Sequence, residues 1–427
     1  MTEPNQPKTE VTDPDTLQYQ LLDAIRRKSS ATMRELLQDK NAPIHRATVH
    51  FAASEHYPEY VFQILVKYLA KRRKALLKLA RESLPPEQLE SLGVLPQQNV
   101  LDSAAAPVAW ALKALKVIDD SQFEFYNPDH VWLSSATTVW SLVGCNLRAA
   151  HVLHEAGFQN VDEVDQMGYS PLAVLEIPSL MATDHINGQS LASGLSDALS
   201  RYLTMCSWLR DHGASMTRGC GLAQATPMHH IGRRFGQCFA QLVGAHCYAF
   251  QGDGIKTMDG VINKLTDALS PLKPNIAILQ QIAVNMGPCD LYLCACAGGG
   301  CLASNTMLNE MVKGAPVPMN VLIAVFQRII APAGSTVTKV FQEQWILRPI
   351  LRACTFACLK LRHSCQSASL ERFRVMKGEG GHTDDYMEQL VALGERLYRE
   401  KGGLAMWKFI ILWFEMLEHA ARDRNYR

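Results

Sequence analysis

Residues 202–232, YLTMCSWLRDHGASMTRGCGLAQATPMHHIG, restrict the fold more than any other stretch of the chain. Apolar residues at helical spacing run up to Leu209, Gly213 and Ala214 end that helix, a polar turn follows, and Thr226-Pro227 opens the next one. A threonine hydroxyl satisfies an orphan N–H at a helix start, and proline suits the first helical position, where its missing N–H is harmless and its φ already helical. His229 falls one turn in, within reach of Thr226, which gives the imidazole a structural task and not a catalytic one. The same grammar occurs in AAHVLHEAGFQNVDEVDQMGYSPLAVL, residues 149–175, where Gly157 closes one helix and Ser170-Pro171 opens another. No stretch alternates at period two for long enough to suggest a large sheet, so the expected fold class is all-α.

A helix closing on L..HGA, a turn and a TPLH-type start are the marks of ankyrin repeats. The spacing from Gly157 to Gly213 far exceeds the about 33 residues of such a repeat. Residues 176–194, rich in turn formers and small polar side chains, are therefore expected to be a surface insertion between the helices of one repeat. Thr48, His50 and Ala52 stand where a degenerate N-terminal copy of TPLHxA would place them. The expected organisation is a disordered lead-in over 1–15 and a helical N-terminal region over 16–95 carrying that degenerate copy. Ankyrin-like repeats over 96–250 and a helical C-terminal region with a cysteine-rich loop over 251–427 complete it.

A chain of 427 residues, 48% apolar and 19% charged, can bury more than one domain core and has no long polar tract that would enforce disorder. Its net charge of +1 creates no global field for nucleic acid or an anionic membrane, so direct nucleic-acid contact is not expected. The helix over 58–84 is expected to bury Val61, Ile64, Leu65, Tyr68 and Leu69, then Leu76, Leu77 and Leu79. Its basic run KRRKALLKLAR, 71–81, reads as a solvated face, with a nuclear-import or phosphate-contacting patch as the alternative. The first residues lack the basic-then-apolar layout of a secretory signal, so an intracellular protein, cytoplasmic or nuclear, is expected. LAMWKFIILWFEML, 404–417, is interrupted by Lys408 and Glu415 and falls short of the roughly 20 residues of a membrane span. It reads as a buried helix with Trp407, Ile410, Ile411 and Phe414 inward.

Twelve cysteines at scattered spacings do not resemble a small secreted disulfide framework, and reduced thiols are expected. Cys145, Cys206, Cys238 and Cys247 lie among apolar neighbours and read as small core residues. Cys294, Cys296 and Cys301 differ: they form C-x-C-x4-C around Gly298, Gly299 and Gly300, with Cys289 just upstream. Zinc takes four thiolate or imidazole ligands in a tetrahedron, and His363 and Cys365 of RHSC are available as distant ones. Three readings stay open for this cluster: a structural zinc, thiols packed without metal, and a redox site.

The order of motifs resembles a family of uncharacterised fungal ankyrin-repeat proteins. The matching stretches are NVLDSAAAPV (99–108), AGFQNVDEVDQMGYSPL (156–172), DLYLCACAGGGC (290–301) and RACTFACLKLRHSC (352–365). Tyr292 stands where that family has a further cysteine and Ala297 where it has a serine, which removes one candidate ligand. No phosphate loop, nucleophile elbow, H-E-x-x-H or dinucleotide fingerprint is present. The expectation is thus a non-enzymatic scaffold or adaptor for a protein partner, with no cofactor beyond zinc. A nuclear transcription co-regulator and an enzyme of unrecognised type are the alternatives.

Overall fold

The computed structural model describes residues 14–126, 138–165, 167–178, 188–221, 224–250, 257–284, 301–313, 317–330, 347–358, 381–401, 404 and 406–424. Among the described residues all regular structure is helical, apart from one isolated bridge between Cys220 and Ala225, and the all-α expectation holds. The chain divides into two compact units, Met1–Pro171 and Leu172–Arg427.

The first unit contains α1 (Pro14–Arg26), α2 (Ser30–Gln38), α3 (Arg46–Ala52), α4 (Glu59–Ser83), α5 (Pro86–Ser91), α6 (Ala105–Ala114), α7 (Asp120–Tyr126), α8 (Val139–Leu142) and α9 (Leu147–Glu155). Helix α4 is its axis, touching α2, α3, α5, α6, α7 and α9. It can do so because apolar residues cover most of its circumference: Phe62 and Val66 are buried beside the expected Val61, Ile64, Leu65 and Leu69. Tyr68 and Leu79 are only half-buried.

The basic run forms the expected solvated face only in part, because two of its arginines turn inward. Arg72 and Arg73 are both 4% exposed. The Arg72 guanidinium donates to the Ala42 carbonyl at 2.8 Å and the Leu37 carbonyl at 3.2 Å, and stacks over the Phe125 ring. Leu37 lies in the last turn of α2, where carbonyls have no intrahelical partner, so the arginine completes that helix end. Arg81 donates to the carbonyls of Pro96 and Gln98. Lys71, Lys74 and Lys78 remain exposed. Thr48 does not open a helix either. It is buried inside α3, which begins at Arg46 after His45, while His50 Nδ1 lies 2.9 Å from the Leu142 carbonyl oxygen.

Helix α10 (Pro171–Val174) starts at the expected Ser170-Pro171 step. In the second unit, α11 (Gly188–Asp211) begins inside the segment read as an insertion, so 188–194 are helical, and 179–187 lie outside the described residues. Next come α12 (Pro227–Ala249), α13 (Met258–Ala268), a 3-10 turn (Ser270–Asn275), α14 (Ala277–Val284), α15 (Ala303–Lys313), α16 (Met319–Ile330), α17 (Leu347–Cys358), α18 (Gly381–Glu400) and α19 (Met406–Arg424). Helix α15 is buried from Ala303 to Met311 and packs against α12, α14 and α17. Its approach to α12 is close because Gly232 and Gly236 present bare backbone there. A Cβ on Gly236 would collide with the Met307 carbonyl, and one on Gly232 would meet the Ala303 carbonyl at 3.0 Å. Phe235, Phe239 and Phe326 pack beside that contact.

The inner face of α19 is Phe409, Ile410, Trp413 and Leu417, whereas Ile411 is 36% exposed and Phe414 half-buried. The expected face is corrected by about one residue of rotation. Trp413 sets it, since its indole N–H donates to the Thr355 hydroxyl of α17 at 3.1 Å. The Trp407 side chain lies outside the described ones. Among the described residues no helix is long and apolar enough to cross a membrane.

Candidate functional site

Three places that include described residues bring chemistry-bearing side chains together. At the first, the start of α12, Thr226 is the N-cap, Pro227 the first helical residue and His229 the third, as the spacing predicts. The imidazole takes the place of the Glu or Gln of a capping box. Nδ1 accepts the Thr226 backbone N–H at 3.1 Å and lies 2.8 Å from the Thr226 hydroxyl. The ring proton therefore sits on Nε2, which donates to the Cys301 carbonyl at 2.6 Å. Burial holds the His229 pKa below the usual histidine range. Both nitrogens are engaged, so the ring has no position left from which to serve as base to the Cys301 thiol.

The cysteine segment comes second. Cys301 is wholly buried, and the Thr306 hydroxyl points at its sulfur at 3.7 Å. A hydroxyl donor of this kind also supports metal-bound thiolates. Cys294, Cys296, His363 and Cys365 lie outside the described residues, and among the described residues no three His, Cys, Asp or Glu side chains are placed to hold a metal ion. Of the four core cysteines, Cys145, Cys206 and Cys238 are buried and Cys247 half-buried. Burial pushes the Cys238 thiol up to about 12 and raises Cys247 and Cys354 as well, which suppresses their thiolates.

The third place is a cavity of about 240 Å³ in the first unit. The segment after α5 and the segment after α9 form its walls, with Trp140 of α8 between them. Gly157 makes the closure feasible. At φ +107° it ends α9 in the left-handed region, and a Cβ there would stand 3.0 Å from Val100. Asp102 and Glu163 line the cavity, at 5% and 8% exposure. Glu163 Oε1 accepts from the Ser103 hydroxyl at 2.6 Å and the Ala104 N–H at 3.4 Å. Its Oε2 accepts from Gln98 at 3.1 Å and Asn160 at 3.5 Å. Asp102 Oδ1 accepts the Val139 N–H at 2.8 Å, and Oδ2 has no hydrogen-bond partner among the described residues. From α4, Arg73 donates to the Asp102 backbone carbonyl at 3.4 Å.

Burial raises the pKa of both acids. The negative charge of Glu163 pushes Asp102 further up, and Arg73 works against the rise at both. Neither acid was singled out by spacing, and they stand in separate stretches, NVLDS and NVDEVD. Comparison with protein-family models, with curated proteins and with solved structures gives no match to this chain.

Proposed function

We propose that the chain is a non-enzymatic interaction protein, in which ankyrin-like helical repeats present a surface to a protein partner inside the cell. One observation carries this reading. In Thr226-Pro227-x-His229 both imidazole nitrogens are engaged in holding a helix start and the Cys301 carbonyl, the work of a scaffold histidine. The resemblance to fungal ankyrin-repeat proteins points the same way. Within this reading the cysteine-rich segment is a structural clamp, with Cys294, Cys296, Cys301, His363 and Cys365 as the zinc donors, and the Cys301 sulfur with its Thr306 donor suits that task.

The test is affinity capture of the full chain from its own cells, compared with a Thr226→Ala chain and an unrelated bait. Loss of the cap costs about 1 kcal/mol of stability and leaves the captured partner unchanged. A capture no richer than the unrelated bait's overturns the reading. So does a partner lost from Thr226→Ala at a temperature where that chain is fully folded.

A further inference from the structure

Two carboxyl groups lie in the wall of one cavity, and the arginine beside them reaches the Asp102 backbone carbonyl at 3.4 Å. Hydrogen bonds from hydroxyl, amide and backbone donors occupy both oxygens of Glu163 and one of Asp102, leaving Oδ2 of Asp102 with none among the described residues. Two buried anions facing one guanidinium are not neutralised, and such a group either holds a proton or takes up a cation. The rest of the cavity says which cation. Leu95, Val100, Trp140 and Phe158 give it apolar walls suited to an aliphatic stem, and beyond the two carboxylates its lining offers a metal neutral amide oxygens and no third charged ligand. Its rim, at Leu95, Gln97, Asn99 and Gln159, is exposed. At about 240 Å³ it is smaller than the roughly 300 to 1,000 Å³ of pockets for whole cofactors or drug-sized ligands.

We propose that this cavity binds an alkyl cation, an aliphatic stem bearing an ammonium or guanidinium head, with the head at Asp102 and Glu163 and the stem against Val100, Trp140 and Phe158. A lysine or arginine side chain of a partner protein has this form, since its stem lies on apolar surface while its head seeks charge. A free diamine has it too. Entry of the head favours ionisation of both acids, so binding releases a proton to the buffer and tightens as pH rises. The groups facing the pair are Arg73 from α4, Gln98, Ser103 and the Ala104 N–H from the segment before α6, the Val139 N–H of α8, and Asn160; none of them titrates between pH 5 and 8. The inference stands on the first unit alone and does not rest on the scaffold reading, so a failed capture and a failed binding experiment are separate results.

The experiment is titration calorimetry of the full chain with Nα-acetyl-lysine amide, Nα-acetyl-arginine amide, 1,5-diaminopentane and, as the neutral control, Nα-acetyl-norleucine amide. At least one cationic probe should bind saturably, one per chain, at least about tenfold more tightly than the control. Its heat should depend on the ionisation enthalpy of the buffer. Glu163→Gln keeps the shape and most of the hydrogen bonds of the site, and it should weaken binding about tenfold or more and reduce the proton release to what Asp102 alone contributes. Binding by the amino-acid amides assigns the cavity to a partner's side chain, and binding by the diamine alone assigns it to a free amine; either supports the site. Asp102→Asn should weaken binding in the same way, and if it does not fold, Glu163→Gln and the buffer dependence of the unaltered chain still decide. Equal binding of the neutral control, no saturable binding of any cation up to about 10 mM, or unchanged binding in Glu163→Gln overturns the proposal.

Discussion

Protonating His229 would put a second N–H against the Thr226 amide, because Nδ1 already accepts there. His230 meets a different obstacle. Burial first, then the charges of Arg234 and Arg233, bring its pKa down to about 4, and burial also lowers His246. These three are neutral in the folded chain and take up protons on unfolding once the pH is below about 6.5, the ordinary histidine value. Their contribution to stability is therefore complete above about pH 6.5 and is lost as the pH falls below it, for His230 down to about 4. Urea midpoints for unfolding of the second unit should be lower at pH 5 than at pH 7.5, and the difference should shrink in a His230→Gln chain. An equal midpoint at both pH values would show that the folded histidines titrate normally.

Between helices, single polar or missing side chains decide the fit. Arg72 joins α4 to the end of α2, and Arg72→Met would keep much of the stem's packing while leaving the Leu37 and Ala42 carbonyls without their donor. A loss of about 1 to 3 kcal/mol is expected by denaturant unfolding, against less than about 0.5 for Lys71→Met on the exposed side. At the α12–α15 contact the demand is steric. Gly236→Ala pushes a methyl group into the Met307 carbonyl and should cost about 1 to 3 kcal/mol or more, while Gly213→Ala meets no neighbouring atom and pays only for its positive φ. Helical periodicity made most of α4 readable, because Val61, Ile64, Leu65 and Leu69 recur at its spacing. It could not show that Arg72 and Arg73 turn inward, since their carbonyl partners come from other parts of the chain. The same limit rotated the expected face of α19, which is fixed by a threonine on α17 and not by the helix's own pattern.

Across the whole chain, the start of α12 was legible because Thr-Pro-x-His encodes its own local geometry, whereas the carboxyl pair was not. Asp102 and Glu163 sit in separate segments, and only the folding of the first unit brings them to one cavity. The sequence offered a hint in Gly157, whose position after α9 lets the second segment approach Val100. The cysteine segment leads to a prediction on this scale. Elemental analysis of the purified chain should find about one zinc ion per molecule, and a chelator should lower the melting temperature because closing such a site is part of folding. Metal-free protein with an unchanged melting temperature would leave these thiols without that role. Helix α15 has a further consequence, for synthesis. Its partners α12 and α14 precede it in the chain and α17 follows, so one flank must wait for residues 347–358 to be made. At about 5 to 20 residues per second that wait lasts on the order of a few seconds, during which the side of α15 that packs on α17 lacks its final cover and is open to chaperones on the nascent chain.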